Sequence, residues 1–111
     1  MSSPIPRRLL PHTATVERYI GTNKNGPVYG EPIDLENIRV VPVKQNALSS
    51  LGDAKNDRFL VFIDCKNSKP VQFVLAIKDR LTFQGQVMAV RTISPFYGTG
   101  REVHHYEVRL A

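Results

Sequence analysis

The chain has 111 residues, with 15 Lys and Arg against 10 Asp and Glu, a formal net charge of +5 and 41% hydrophobic content. That length suits one domain (1–111) with a modest core, and that composition excludes a disordered polymer. No apolar run approaches the roughly 18 residues of a spanning helix, the stretch Met1-Ser2-Ser3-Pro4-Ile5-Pro6 has no apolar signal core, and the lone Cys65 excludes an internal disulfide or a cysteine-based zinc site. The expectation is a protein made in the cytoplasm that contacts no membrane.

Residues 1–11 contain Pro4, Pro6 and Pro11, each fixing φ and biasing its predecessor toward extended backbone. They predict an extended arm carrying Arg7-Arg8 and Leu9-Leu10. The two leucines either tuck onto the domain itself or dock on a neighbouring subunit.

His12 to Ile20 is rich in Thr, Val, Tyr and Ile and predicts a strand with Ala14, Val16 and Ile20 facing in. Turn residues crowd Gly21 to Pro27, and Val28 to Leu35 returns as a weaker strand interrupted by Gly30 and Pro32. The pair makes a long, irregular hairpin. Asn37 to Lys44 is a further strand, and Pro42, lacking an N–H, places it at a sheet edge or in a bulge.

Gln45 to Asp57 is rich in Ser, Gly, Asn and Asp and predicts a long mobile inter-strand loop, although Ala47, Leu48, Leu51 and Ala54 are spaced to share a face of one helical turn. A structureless connection of about a dozen residues is uncommon in compact domains and is usually functional or disordered. Arg58 to Cys65 is apolar on both faces, with Phe59, Val61 and Ile63 on one and Leu60 and Phe62 on the other. Either the sheet curls into a barrel whose outside is covered, or one face meets another subunit. Cys65, at the end of this run, reads as a small buried hydrophobe.

Asn67-Ser68-Lys69-Pro70 is a turn, and Val71 to Ile77 is a strand or a short buried crossover. The closing stretch, Asp79 to Ala111, is a meander. Its Gln84-Gly85 pair suits a two-residue hairpin turn that sets Phe83 against Gln86 and Leu81 against Met88. Leu81, Met88 and Val90 then share one face. The last strand alternates Tyr106, Val108 and Leu110 with His105, Glu107 and Arg109. The fold expected is all-β, a small antiparallel barrel of about six to seven strands with an arm and a long loop.

Little in the chain supports catalysis. His12, His104 and His105 are the candidate metal ligands or bases, but neighbouring residues on a strand point to opposite faces, so His104 and His105 are not expected to meet at one ion. There is no G-x-S-x-G and no phosphate-binding glycine loop. The expectation is no enzyme, no metal and no cofactor; a small hydrolase would rest on the three histidines alone. The basic charge admits a second class, a small barrel that binds nucleic acid through Phe96, Tyr97 and Arg101. Its Lys and Arg residues are scattered, however, with Arg7-Arg8 the one adjacent pair.

Several pieces, in order along the whole chain, resemble one family. They are P-I-P-R-R-L-L-P-H-T-A-T-V at 4–16, N-I-R-V-V-P at 37–42, F-I-D-C-K-N-S-K-P at 62–70, D-R-L-T-F-Q-G at 79–85, I-S-P-F-Y at 93–97 and H-H-Y-E-V at 104–108. The chain is similar to the small minor capsid proteins, of head–tail connector type, of tailed phages and prophages of Gram-positive bacteria. It departs from them at Lys78, where they tend to have glycine, and at Met88, where they tend to have an aromatic residue.

The resemblance implies a structural virion protein in head completion, an adaptor or stopper ring between portal and tail. It implies self-association, twelve copies beneath a portal of that symmetry, a location at the head–tail interface after assembly in the host cytoplasm, and genomic DNA passing through the channel. By position, Leu48, Ser49, Ser50, Leu51, Gly52 and Asp53 are the candidate channel loop. The candidate contacts to a neighbouring subunit or the portal are Arg7, Arg8, Leu9, Leu10, Leu60, Phe62, Phe96 and Tyr97. A ring is a heterologous assembly, so two unlike contact patches per subunit are expected.

Overall fold

Gln84 and Gly85 both have positive φ, 50° and 81°, the pairing that lets a two-residue turn follow the twist of its flanking strands. The expected register results: Leu81 faces Met88 and Phe83 faces Gln86. This hairpin belongs to a computed structural model that describes residues 3–43, 57–71 and 73–111.

The strands are β1 (His12–Glu17), β2 (Tyr19–Asn23), β3 (Gly26–Tyr29), β4 (Ile33–Pro42), β5 (Phe59–Asp64), β6 (Arg80–Phe83), β7 (Gln86–Tyr97) and β8 (Val103–Leu110). Six of them close into an antiparallel barrel in the order β1-β4-β5-β8-β7-β6, and β2 and β3 form a separate two-stranded sheet. The fold is therefore the all-β barrel expected. Inward positions of every barrel strand fill it: Val16, Leu35, Ile38, Val61, Leu81, Met88, Val108 and Leu110 are all buried. Tyr106, Ile93, Phe59 and Phe73 pack against that cluster from its margins.

Four local expectations are corrected. The strand from His12 to Ile20 breaks at Arg18, and Ile20 is 68% exposed on the outlying hairpin. The break has a cause: the Tyr19 amide donates to the buried Asp79 carboxylate at 2.9 Å instead of continuing the barrel ladder. Second, the irregularity in β4 sits at Asn37 rather than Pro42. Between the pairs His12–Ile38 and Ala14–Leu35, β4 carries one extra residue, and Asn37 takes φ 55° there, a conformation Asn tolerates better than most residues. Pro42 ends the strand opposite Phe59, and β4 has a neighbour on each side.

Third, of the two readings of Val71 to Ile77 the crossover holds, since the described residues from Phe73 to Ala76 form no strand, but it is not buried throughout: Leu75 is buried while Val71, Val74 and Ile77 are exposed. It ends in a bulge, where Lys78 N–H donates to Val90 O and Val90 N–H donates to Asp79 O. Lys78 sits at φ 77°, the left-handed region that glycine enters freely. Fourth, the arm is not extended throughout. Arg7–Leu9 form a single 3₁₀ turn, and Leu10 is 1% exposed, seated in the domain's own surface.

Candidate functional site

One end of the barrel gathers more of the residues singled out in the sequence than any other region. It is built from three pieces distant in the chain: the arm, the turn after β5, and the ends of β7 and β8. Asp64 organises it. Its buried carboxylate accepts hydrogen bonds from the amides of Ile5 at 2.9 Å, Lys66 at 2.9 Å and Asn67 at 2.8 Å. Asn67 returns a bond through Nδ2 to the Ile5 carbonyl at 2.7 Å, and Ser68 Oγ donates to Asn37 O at the β4 bulge. A carboxylate that accepts several N–H groups in a buried site fixes all of their donors at once. The arm is thereby tied to the turn and the bulge.

His104 and His105 lie beside this tie, and they do meet, contrary to the strand alternation expected of them. The pairing of β7 with β8 shifts between Phe96–His105 and Tyr97–Val103. This irregularity brings the two rings edge to face, with centroids 5.1 Å apart and Nδ1 atoms 2.9 Å apart. His104 Nε2 lies 2.5 Å from Ser3 O, and His105 Nε2 lies 3.0 Å from Glu107 Oε2. His105 also stacks on Phe96, with centroids 5.1 Å apart and planes 6° apart, and its other neighbour is Phe62 at 6.2 Å. Phe62 and Phe96, named separately from the sequence, thus join one aromatic cluster on the outside of the barrel. Leu60 sits on the same outer face of β5, half-buried.

Around the corner, Tyr97, Arg101, His104, Tyr106, Cys65 and Val74 line a cleft of about 780 Å³. Burial, and secondarily the Asp64 charge, raise the Cys65 thiol above its ordinary range. It therefore carries less thiolate than a free cysteine and is a poor nucleophile. Of the arm residues, Arg7, Arg8 and Leu9 are exposed while Leu10 is not. Leu10 is withdrawn from any outer contact by its seat in the domain, where the Leu9 carbonyl faces Arg39 Nη1 at 3.5 Å.

The candidate channel residues Leu48 to Asp53 lie outside the described residues. Their flanks are described. Val43 N–H donates to Arg58 O at 3.0 Å, so the chain leaves and re-enters between two adjacent strands. Asp57 sits buried at the re-entry, with Arg91 Nη1 at 3.7 Å and Arg109 Nη1 at 3.5 Å.

Asp57, Asp64 and Asp79, to which sequence reasoning gave no role, are all buried. The signal available was small: each stands beside the end of an apolar run. His12, the third histidine, is structural. Its Nδ1 accepts from the Val40 amide at 3.0 Å, and its ring packs edge-on to Phe83. Among the described residues no group of three or more His, Cys, Asp or Glu is placed to hold a metal ion.

A closed barrel whose buried Asp64 and Asp79 tie distant loops, with an aromatic cluster on its outer wall, suits a protein that works through contacts. The comparison with known families agrees: the model of the family described as minor capsid protein matches residues 6–110. The chain belongs to that family, and its role is structural, in the virion, among other capsid or tail proteins. A search of curated proteins finds no match.

Proposed function

We propose that the protein acts in phage head completion, as an adaptor or stopper ring between portal and tail. The observation that carries this reading is family membership across residues 6–110. The outer cluster of Phe62, His105 and Phe96 supports it, because half-buried aromatics on a barrel wall are the residue type that anchors protein contacts. The exposed Val71, Val74 and Ile77 of the crossover offer a second, chemically different apolar patch, as head-to-tail ring closure requires.

In this reading Arg7, Arg8 and Leu9 on the arm, with Leu60 and Tyr97, border the contacts. Residues 48–53 face the channel through which the genome passes. The experiment is incorporation: the protein should be found in purified virions by mass spectrometry and as a ring on portal complexes by electron microscopy. Absence from virions, with no binding to portal-bearing heads, overturns it. Deleting residues 48–54 should leave the barrel folded and yield heads that leak DNA; normal DNA retention removes the loop from the mechanism.

A nucleic-acid-binding role is the second reading, favoured by Tyr97 and Arg101 together on the cleft. Phe96 has one face already occupied by His105. Salt-dependent binding of single-stranded DNA supports this reading, and no binding at low salt excludes it.

A further inference from the structure

We propose that the cleft at the ends of β7 and β8 receives the Glu31-Pro32-Ile33-Asp34 segment of a second copy of this chain, so that the barrels join head to tail. This contact rests on the ring proposed above and names the surfaces that close it.

The cleft, of about 780 Å³, offers hydrogen-bond donors and apolar rings. Lys66 reaches it from the turn after β5, and Arg101 from the loop between β7 and β8. Both are exposed, and among the described residues neither enters an ion pair. Tyr97 and Tyr106 line the same space, and neither hydroxyl bonds to another described residue. Two cations and two phenols without protein partners call for acceptors, carboxylates first. Pro4, Val74 and the tyrosine rings supply an apolar wall, and aromatic-lined grooves take proline in extended backbone. The ligand these features describe is an acidic, extended segment that contains a proline.

Glu31 to Asp34 meets that description. Glu31, Pro32 and Asp34 are exposed, residues 30–32 belong to no strand, and among the described residues neither carboxylate enters an ion pair. Pro32 fixes its own φ and biases Glu31 toward extended backbone, so little freedom is lost on docking.

The two surfaces stand across the barrel from each other. In the closed order β1-β4-β5-β8-β7-β6, β4 and β7 are three places apart; the segment leads into β4, and the cleft opens at the end of β7. Unlike patches on opposite sides are what head-to-tail closure uses. A nucleic-acid strand suits the cleft less well, because Glu102 in the same wall offsets one of its two cations, whereas a phosphate backbone is held by many.

The test supplies purified full-length protein to portal-bearing heads made without it and counts bound rings by electron microscopy. One variant, Lys66→Glu with Arg101→Glu, reverses the cleft; the other, Glu31→Lys with Asp34→Lys, reverses the segment. All four side chains are exposed, and each variant is used once its circular dichroism matches the parent's. Either variant alone should lose ring formation, since like charges then face each other. An equal mixture of the two should regain it, because every joint of an alternating ring is again of opposite sign. Rings from either variant alone, or no recovery in the mixture, would overturn this contact and leave the ring, formed by the parent, standing. Salt-dependent binding of single-stranded DNA that the cleft variant loses while it still forms rings assigns the cleft to nucleic acid and also overturns it. If the parent forms no ring, the ring fails and the contact with it.

Discussion

Arg18 and Asp79, 61 positions apart in the chain, meet with Nη1 2.9 Å from Oδ2. The same carboxylate accepts the amides of Tyr19 and Ala76, each at 2.9 Å. It is thus the point where β1 hands over to the outlying hairpin and where the crossover turns into β6. Arg18 lies over the Phe73 ring at 4.3 Å, and Lys78 and Arg80 lie over Tyr19 and Tyr29, so cations fasten the hairpin to this corner. Asp79→Asn places an amide donor against donors in a buried site and should lower stability by about 2–4 kcal/mol in urea unfolding. Arg18→Ala should cost far less, because its side chain reaches solvent and a third or so of it is wet. Equal losses in the two variants would show that the carboxylate's role is only to pair the charge.

His12→Ala should cost about 1–3 kcal/mol, since it leaves the Val40 amide without its acceptor inside the bulged β1–β4 pairing. Hydrogen exchange at Val40 checks the mechanism. It should rise well above that of the neighbouring ladder amides.

The β6–β7 turn predicts a pair of opposite effects. Gly85 has open space where a methyl group would stand but a φ of 81°, so Gly85→Ala should lose about 1 kcal/mol through backbone strain alone. Gln84 holds φ 50° without being glycine, and Gln84→Asn should gain about 0.5 kcal/mol by restoring the residue pair this turn favours. Thermal unfolding of both variants measures the difference.

Cys65 should alkylate more slowly than a free thiol at mildly alkaline pH, because burial first and the Asp64 charge second both raise it. The thiolate is the reactive form, so raising the pH should restore the rate. Asp64→Asn should accelerate the reaction, and by freeing the backbone at Ile5 it should also speed trypsin cleavage after Arg7 and Arg8.

Phe62→Ser and Phe96→Ser remove the two carbon rings that flank His105. Neither belongs to the barrel interior, and Phe96 is 41% exposed. Each variant should unfold within about 1 kcal/mol of the parent, while its incorporation into virions, measured by quantitative mass spectrometry, should fall. Unchanged incorporation would remove this face from the contacts.

What could be read from the sequence was local. The Gln84-Gly85 turn, the alternation in β8 and the two apolar faces of β5 depend on residues within a few positions of each other, and all appear in the barrel. What escaped depends on partners far along the chain. Tyr19 leaves the β1 line because Asp79 captures its amide, and nothing near Tyr19 announces that. His104 and His105 meet because β8 slips against β7, a two-strand property invisible in either strand alone. Lys78 is an intermediate case: it stands before the meander's Asp where the family tends to have glycine, and its φ of 77° shows the backbone shape that glycine serves.

Closure of the barrel restricts the ways in which another chain can join it. Each of the six barrel strands has a hydrogen-bonded neighbour on both sides, so wherever those ladders run an incoming strand finds the amides and carbonyls of the wall already paired. Along those ladders a partner meets the barrel through side chains. Among the described residues, strand addition is open at the β2–β3 ribbon, whose two strands pair with each other alone. A backbone-to-backbone joint with a neighbouring virion protein would form there, at the outlying hairpin that Asp79, through the Tyr19 amide, and the cations of Lys78 and Arg80, over Tyr19 and Tyr29, hold in place.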